Sequence, residues 1–274
     1  MTALSLAPIG HHWPRERTMD FYREVASMPV EVVYLGEAVC GKRASMRLKD
    51  WAAVAAELGA AGKRVVLSSP PAIESAAELR LIERIASRGT VVEVNDPGLL
   101  ASLSGRPFVA GPYLNAYNPA AVRALAEFGA RRWIAPFEID RQAFAAMLAG
   151  LGTEIETELL VYGRLPLAFS TQCYTARSYG RTRHDCLHCC LEHPEGQRLA
   201  TLDGRSLMVV NGPQTLSQPV YNLMGSIGEL QRMKVSLLRI DPPSASHAGA
   251  VAGVFDAVLR GMLLTGGTSL YMLR

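Results

Sequence analysis

The sequence predicts an α/β fold, a TIM-like (βα) barrel of mainly parallel strands with a hairpin elaboration towards the C-terminus. Three observations carry this expectation. Short apolar runs alternate with helical apolar periods from Ala3 to Phe169. The units repeat at roughly 25–30 residues, the span of a βαβ unit. No strand–glycine-rich–helix nucleotide fingerprint interrupts them, so right-handed crossovers of near-constant length favour a closed barrel over an open doubly wound sheet.

Taken in order, Ala3–Ala7 is the first strand, and a polar loop over His11–Arg17 leads to a short helix at Met19–Ala26. Val30–Leu35 is a largely apolar run, as expected of a strand buried on both faces, and Gly36 ends it. Lys49–Gly62 carries Trp51, Val54, Ala55 and Leu58 at helical spacing before a glycine stop. Arg64–Ser68 is a strand, Ile73–Ser87 a helix with Leu79, Ile82, Ile85 and Ala86 on one face, and Thr90–Val94 a strand closed by the turn Asn95-Asp96-Pro97. A short helix over Pro97–Ser104 precedes the strand Phe108–Gly111. The helix Pro119–Phe128, the strand Arg132–Pro136 and the helix Arg141–Ala149 continue the alternation. Glu156–Tyr162 and Pro166–Phe169 read as the seventh and eighth strands. Beyond them Gln197–Val210 reads as a hairpin turning at Asp203-Gly204, Leu237–Ile240 as a strand, Ser246–Leu264 as a helix capped by Ser246, and Ser269–Leu273 as a terminal strand.

At 274 residues the chain is long enough for a sizeable core. Its net charge of +3 makes no strong case for nucleic acid or a membrane surface. No apolar run reaches the length of a bilayer span, and the N-terminal stretch lacks a basic region and is too short for a signal peptide. The expected compartment is the cytoplasm, where clustered thiols point to metal or catalysis rather than to disulfides.

Four of the five cysteines fall between Cys173 and Cys190, in CYTARSYGRTRHDCLHCC; the fifth is Cys40, in LGEAVCGKR. The cluster also holds Arg177, Arg181, Arg183, His184 and His188, with Asp185 as its only acid. Such a mixture is poor core material, because buried cations are costly unless paired. Thiolates are stabilised by nearby positive charge, which favours metal ligation. Cys40 follows one strand and Cys173 another, so in a parallel barrel both fall on the face formed by the strands' C-terminal ends. Cys186 and Cys190, at i and i+4, share a face if that segment is a helical turn. Four thiolates suit either tetrahedral zinc or a [4Fe–4S] cluster. With one short knuckle at most, the spacing departs from the paired knuckles of a zinc ribbon.

A barrel with a distant cysteine after an early strand and then C-x12-C-x3-C resembles the peptidase U32 family. The opening LAPIG, the run VEVVYLGEAVCGKR, the segment FSTQCYTAR and the late hairpin carry the likeness over nearly the whole chain. It implies one U32-type barrel domain over 1–274 with its cysteine loop at 173–190. It implies a [4Fe–4S] cluster on Cys40, Cys173, Cys186 and Cys190, with Cys189 outside the ligand set. Within the family the likeness is to a branch that forms a heterodimer with a second U32 protein. That branch works beside a lipid-binding accessory protein in oxygen-independent hydroxylation of ubiquinone precursors. The word peptidase fits poorly, because the sequence has no H-E-x-x-H helix and no G-x-S-x-G elbow. A Cys190–His193 pair is the one nucleophile arrangement it offers.

Arg177, Arg181 and Arg183 suit a cluster's charge or an anionic substrate, or a solvated loop. Asn115, Tyr117 and Asn118 read as turn residues on the active face. His11, His12, Glu93, Asn95 and Asp96 also follow strand ends, with Asp96 placed to cap before Pro97. Tyr221, Asn222 and Met224 have no evident role. The rival readings are a U32 enzyme that hydroxylates RNA and a zinc-stabilised scaffold without redox chemistry.

Overall fold

The computed structural model describes residues 2–43, 45–87, 89–103, 105–152 and 154–262. Eight parallel strands close on themselves: β1 (Ala3–Leu6), β2 (Val32–Leu35), β3 (Arg64–Ser68), β4 (Val91–Val94), β5 (Phe108–Ala110), β6 (Ala130–Ile134), β7 (Glu156–Phe169) and β11 (Leu237–Asp241). Each pairs with the next, and β11 pairs in parallel with both β1 and β7, which closes the barrel. Helices α1 (Arg15–Val25), α2 (Leu48–Ala60), α3 (Ala76–Ala86), α4 (Pro119–Phe128), α5 (Arg141–Gly150) and α8 (Ala245–Leu259) form the crossovers and the outer layer.

The strands form where β-branched residues serve both faces. Outward positions such as Leu4, Leu6, Val33, Leu35, Trp133 and Leu238 pack under the helices with Tyr22, Val54, Phe144 and Phe255. Inward positions alternate with them. At one level Val32, Tyr34, Val66, Val109, Ile134 and Leu237 make an apolar plug. Beside it the interior is charged. Glu158 accepts from Arg239 Nε at 2.8 Å, Ser5 Oγ at 2.7 Å and Tyr34 Oη at 2.5 Å. Arg239 Nη1 also donates to Glu93 at 3.0 Å, and Ser68 donates to Glu93 as well. Arg132 meets Tyr34 Oη at 2.8 Å and Glu156 at 2.6 Å. Matched charges with nearly every polar atom engaged make this buried network tolerable.

Several boundaries depart from the sequence reading. Pro166–Phe169 is no eighth strand: β7 runs unbroken for 14 residues, and the eighth barrel strand is β11. Past Gly163, β7 rises off the rim and pairs antiparallel with β10 (Gln214–Asn222). β10 pairs with β9 (Ser206–Asn211), and β9 with β8 (Gln197–Ala200). The hairpin read at Asp203-Gly204 is therefore part of a four-stranded platform above the rim. Pro97–Ser104 holds only a 3-10 turn at Pro97–Leu99 among its described residues. Ser244, not Ser246, occupies the N-cap position of α8, and the two hydroxyls bond to each other at 3.0 Å. The terminal strand Ser269–Leu273 and the end of the predicted helix at Leu264 lie outside the described residues. A short helix, α7 (Ile227–Arg232), went unread. Among the described residues no helix is long and apolar enough to cross a membrane.

Candidate metal centre above the barrel rim

The loop after β2 carries Cys40. The loop between β7 and β8 carries Cys173, Cys186, Cys189 and Cys190. All five thiols are free. Cys173 heads a five-residue helix, α6 (Tyr174–Ser178), and its Sγ accepts from Ala176 N at 3.4 Å. That helix is moored to the platform: Tyr174 N donates to Gly212 O at 3.0 Å, and Gly212 N donates to Thr175 Oγ1 at 3.0 Å. Cys186 and Cys190 do not share a helical turn. Leu187 and His188 between them take left-handed backbone (φ 44° and 53°), and a 3-10 turn begins only at Cys189. The reversal separates Cys186 from the turn that buries Cys189.

The two loops are tied together. His12, in the loop after β1, places Nδ1 3.2 Å from Cys190 Sγ and Nε2 2.8 Å from Ser45 Oγ. Lys42 Nζ donates to Arg183 O at 3.2 Å and lies 3.3 Å from His184 Nδ1. Arg43 is buried and donates to Gly10 O at 2.6 Å and Asn211 Oδ1 at 2.7 Å.

The electrostatics show the same convergence. Burial raises the Cys173 thiol; the Ala176 N–H opposes this, and the nearby charges of Cys40 and Cys186 add to it. Burial pushes Cys190 up to about 11 against the pull of Arg43, with Cys173, Cys189 and Cys40 adding to the rise. Burial, then Cys173 and Cys186, raise Cys189. Cys40 contributes to the upward shifts of Cys173 and Cys190, in both cases behind burial. Among the described residues, no three His, Cys, Asp or Glu side chains are arranged to hold a metal ion.

Two observations bear on whether the centre suits an anionic cluster. The Nε atoms of Arg43 and Arg183 are buried and have no hydrogen-bond partner. Both belong to guanidinium groups beside the cysteine loops, where a cluster's sulfur atoms would be acceptors. The donor set of soft thiols amid buried cations fits a cluster of net negative charge.

Of the other residues singled out in the sequence, Arg183 is built in: it ion-pairs with Glu74 and donates to Thr171 O at 2.8 Å. Arg177 is exposed, and Arg181 ion-pairs with Asp185 at 3.9 Å. His193 faces Tyr179 Oη at 2.7 Å and Gln197 at 3.0 Å, so the imidazole beside Cys190 is that of His12. Burial and the positive charge of Arg43 push His12 down to about 4. A neutral thiol against a neutral imidazole is the reverse of a thiolate–imidazolium nucleophile. His188 packs edge-on to His12, with ring centroids 5.5 Å apart. Asn115 is left-handed after a 3-10 turn, Asn118 caps α4, Tyr117 donates to Glu138, and Asp96 caps Gly98. Asn222 caps Met224 N at 2.9 Å, and Tyr221 pairs with Gly163 in the platform. Arg43 and Lys42 were missed; the positive charge beside Cys40 was the signal available, and their contacts with Gly10, Asn211 and Arg183 lie across loops.

At the barrel mouth a narrow cleft opens between His11, Val39, Asn95, Tyr113, Arg239 and Asp241. Two of its lining residues, Val39 and His11, are the sequence neighbours of Cys40 and His12.

Fold and site together define a parallel βα-barrel protein with a thiol centre mounted over its C-terminal rim. The chain belongs to peptidase family U32, whose model matches residues 17–263. Among solved structures it is similar to Mycobacterium tuberculosis tryptophan synthase, at 10% identity over 95% of this chain and 91% of that one, with a TM-score of 0.47. It is also similar to dihydropteroate synthase from Thermus thermophilus, at 14% identity over 94% of each chain, with a TM-score of 0.45.

Proposed function

We propose that Cys40, Cys173, Cys186 and Cys190 hold a [4Fe–4S] cluster, and that the chain is the iron–sulfur subunit of an oxygen-independent hydroxylation system for ubiquinone biosynthesis. Within family U32 its sequence most resembles UbiV. On that likeness its partner is a UbiU-like U32 protein, with a UbiT-like lipid-binding protein as accessory and a ubiquinone precursor as substrate.

The observation that carries the reading is the convergence of the loops after β2 and β7, joined through His12 and through Lys42 on Arg183 O. Arg43 and Arg183 support it as buried guanidinium groups with unused N–H donors. Such a cluster supplies one-electron transfer, and four thiolate ligands leave no iron open to substrate. The chain's own residues hold the two loops in register, bury Cys40, half-bury Cys173, Cys186 and Cys190, and set positive charge beside them.

Metal and sulfide analysis after anaerobic purification tests the proposal. Brown protein with iron and acid-labile sulfide in equal amounts is expected. Loss of both is expected in Ser variants of Cys40, Cys173, Cys186 or Cys190, and retention in Cys189→Ser. Colourless protein with stoichiometric zinc would establish the scaffold reading instead. RNA binding that weakens steeply with salt would favour the RNA-modifying one.

A further inference from the structure

The cysteine loop half-buries its thiols and leaves the residues that follow them in solvent. Cys173, Cys186 and Cys190 are half-buried, whereas Tyr174, Leu187 and Leu191, each the next residue in the chain, are 38%, 67% and 38% exposed. Tyr179 and Leu199 are exposed beside them. The elements that carry these side chains touch: Tyr179 Oη donates to Glu192 at 2.8 Å, and Ser178 Oγ donates to Gln197 Oε1 at 3.2 Å. Leu199 lies two residues past Gln197 in β8, so it shares that face of the strand. Leu187 and His188 both take left-handed backbone. Non-glycine residues persist there only where their surroundings fix them, and such outliers cluster at functional segments. Large apolar side chains gathered in one place, rather than scattered singly, mark an interaction surface.

Charge narrows what the surface meets. Arg177, three residues past Tyr174, shares the outer side of α6 with it, while Thr175 and Ala176 are buried. Arg177 and Lys42 have no ion pair among the described residues, and the Lys42 ammonium donates to a carbonyl, Arg183 O. The two carboxylates at the same place are engaged. Asp185 lies 3.9 Å from Arg181, and Glu192 accepts from Tyr179. The margin of the apolar patch is therefore left with two unmatched cations.

We infer that this face docks a small acidic electron-carrier protein of the ferredoxin class, with Leu187 at the centre of the contact and Arg177 and Lys42 meeting carboxylates at its margin. The inference rests on the proposed cluster. Four thiolate ligands leave no iron for a substrate, so the centre exchanges electrons with a second protein, and the exposed residues next to its thiols form this patch. The exchange is one electron: the carrier is oxidised and this centre reduced, with no bond made or broken and no proton moved. An acidic partner suits the two cations better than a second copy of this chain, whose equivalent face would set like charges together. Electron-transfer contacts are small, under about 1,200 Å² in total, so a few apolar side chains with a charged margin suffice.

The test is equilibrium binding of the full chain, purified anaerobically with whatever metal it carries, to an acidic ferredoxin. Basic cytochrome c and vesicles of phosphatidylcholine and phosphatidylglycerol serve as counter-probes. Ferredoxin is expected to bind, about tenfold more weakly at ~0.2 M than at ~0.02 M salt. Leu187→Gly, which suits left-handed backbone, and Arg177→Glu are each expected to weaken binding about tenfold. Phe128→Ser removes an exposed apolar side chain at the opposite end of the barrel, where α4 leads into β6, and is expected to leave binding unchanged. No ferredoxin binding, equal binding of cytochrome c, or an affinity indifferent to both loop variants would overturn the inference. Vesicle binding that is lost with Leu187→Gly would overturn it too, in favour of a lipid contact. Iron and sulfide content, measured on the same preparation, reports on the cluster separately. Metal without docking sinks this inference alone, and docking without metal sinks the cluster alone.

Discussion

His12 Nδ1 lies 3.2 Å from Cys190 Sγ, although 178 residues separate the two in sequence. The other ring nitrogen reaches Ser45, so one imidazole spans from the cysteine loop to the loop that carries Cys40. Outer partners of metal ligands typically contribute 10–100-fold to affinity or activity. His12→Ala should therefore bind iron yet release it to a chelator faster by about that factor, followed as bleaching of the visible absorbance. A release rate equal to that of the unmodified protein would show that the contact has no bearing on the centre.

The Arg43 guanidinium opposes the upward shift of both Cys173 and Cys190. Removing its charge while keeping its stem, as in Arg43→Met, should shift the reduction potential of the proposed cluster to more negative values, because net charge and hydrogen bonds to sulfur set that potential. A redox titration followed by electron paramagnetic resonance measures it. An unchanged or more positive potential contradicts the role given to Arg43.

The barrel was legible because its strands are apolar on both faces and its helices have regular periods; every predicted barrel strand from Ala3 to Tyr162 has a counterpart in the structure. The eighth was misplaced for a local reason. Gly163-Arg164-Leu165 breaks the apolar run, and Pro166 reads as a new start. In the fold, Pro166 lies where the pairing of β7 with β10 shifts register, a place that tolerates a missing N–H. Cys40 and the cysteine loop were legible from composition and from their position after strands. Arg43 and Arg239 were not singled out, and His12 only by its place after the first strand, because their contacts run across loops or across the barrel and no local pattern encodes those.

The interior charges make a stability prediction. Glu158 is fully buried, and Arg239, Arg132, Tyr34 and Ser5 converge on it. Glu158→Leu would leave Arg239 with Glu93 alone and remove the acceptor for Tyr34. Breaking a buried pair from one side costs about 3–5 kcal/mol. Denaturant unfolding should show a loss of that size, and the double variant Glu158→Leu/Arg239→Met should recover part of it. A double variant less stable than the sum of the two single effects would show that the ion pair is not the coupled unit.

The carboxyl groups at the mouth predict how stability changes with pH. Burial pushes Asp241 up to about 7 against the opposing charge of Arg239, and likewise pushes Glu37 up to about 7 against Arg43. A raised carboxyl holds its proton in the native state after the unfolded chain has lost it. The share of stability that these two groups contribute is therefore greatest below the unfolded value near 4, falls as pH rises towards 7, and levels off above it. Asp241→Asn removes that group's share of the fall. Its melting temperature should match that of the unmodified protein at pH 4 and exceed it at pH 8, by an amount corresponding to at most about 4 kcal/mol. Glu37 retains its own share, so the slope between the two pH values should lessen without vanishing. Equal melting temperatures for the two proteins at pH 8 would mean that Asp241 is solvated at the mouth and ionises there at its ordinary value.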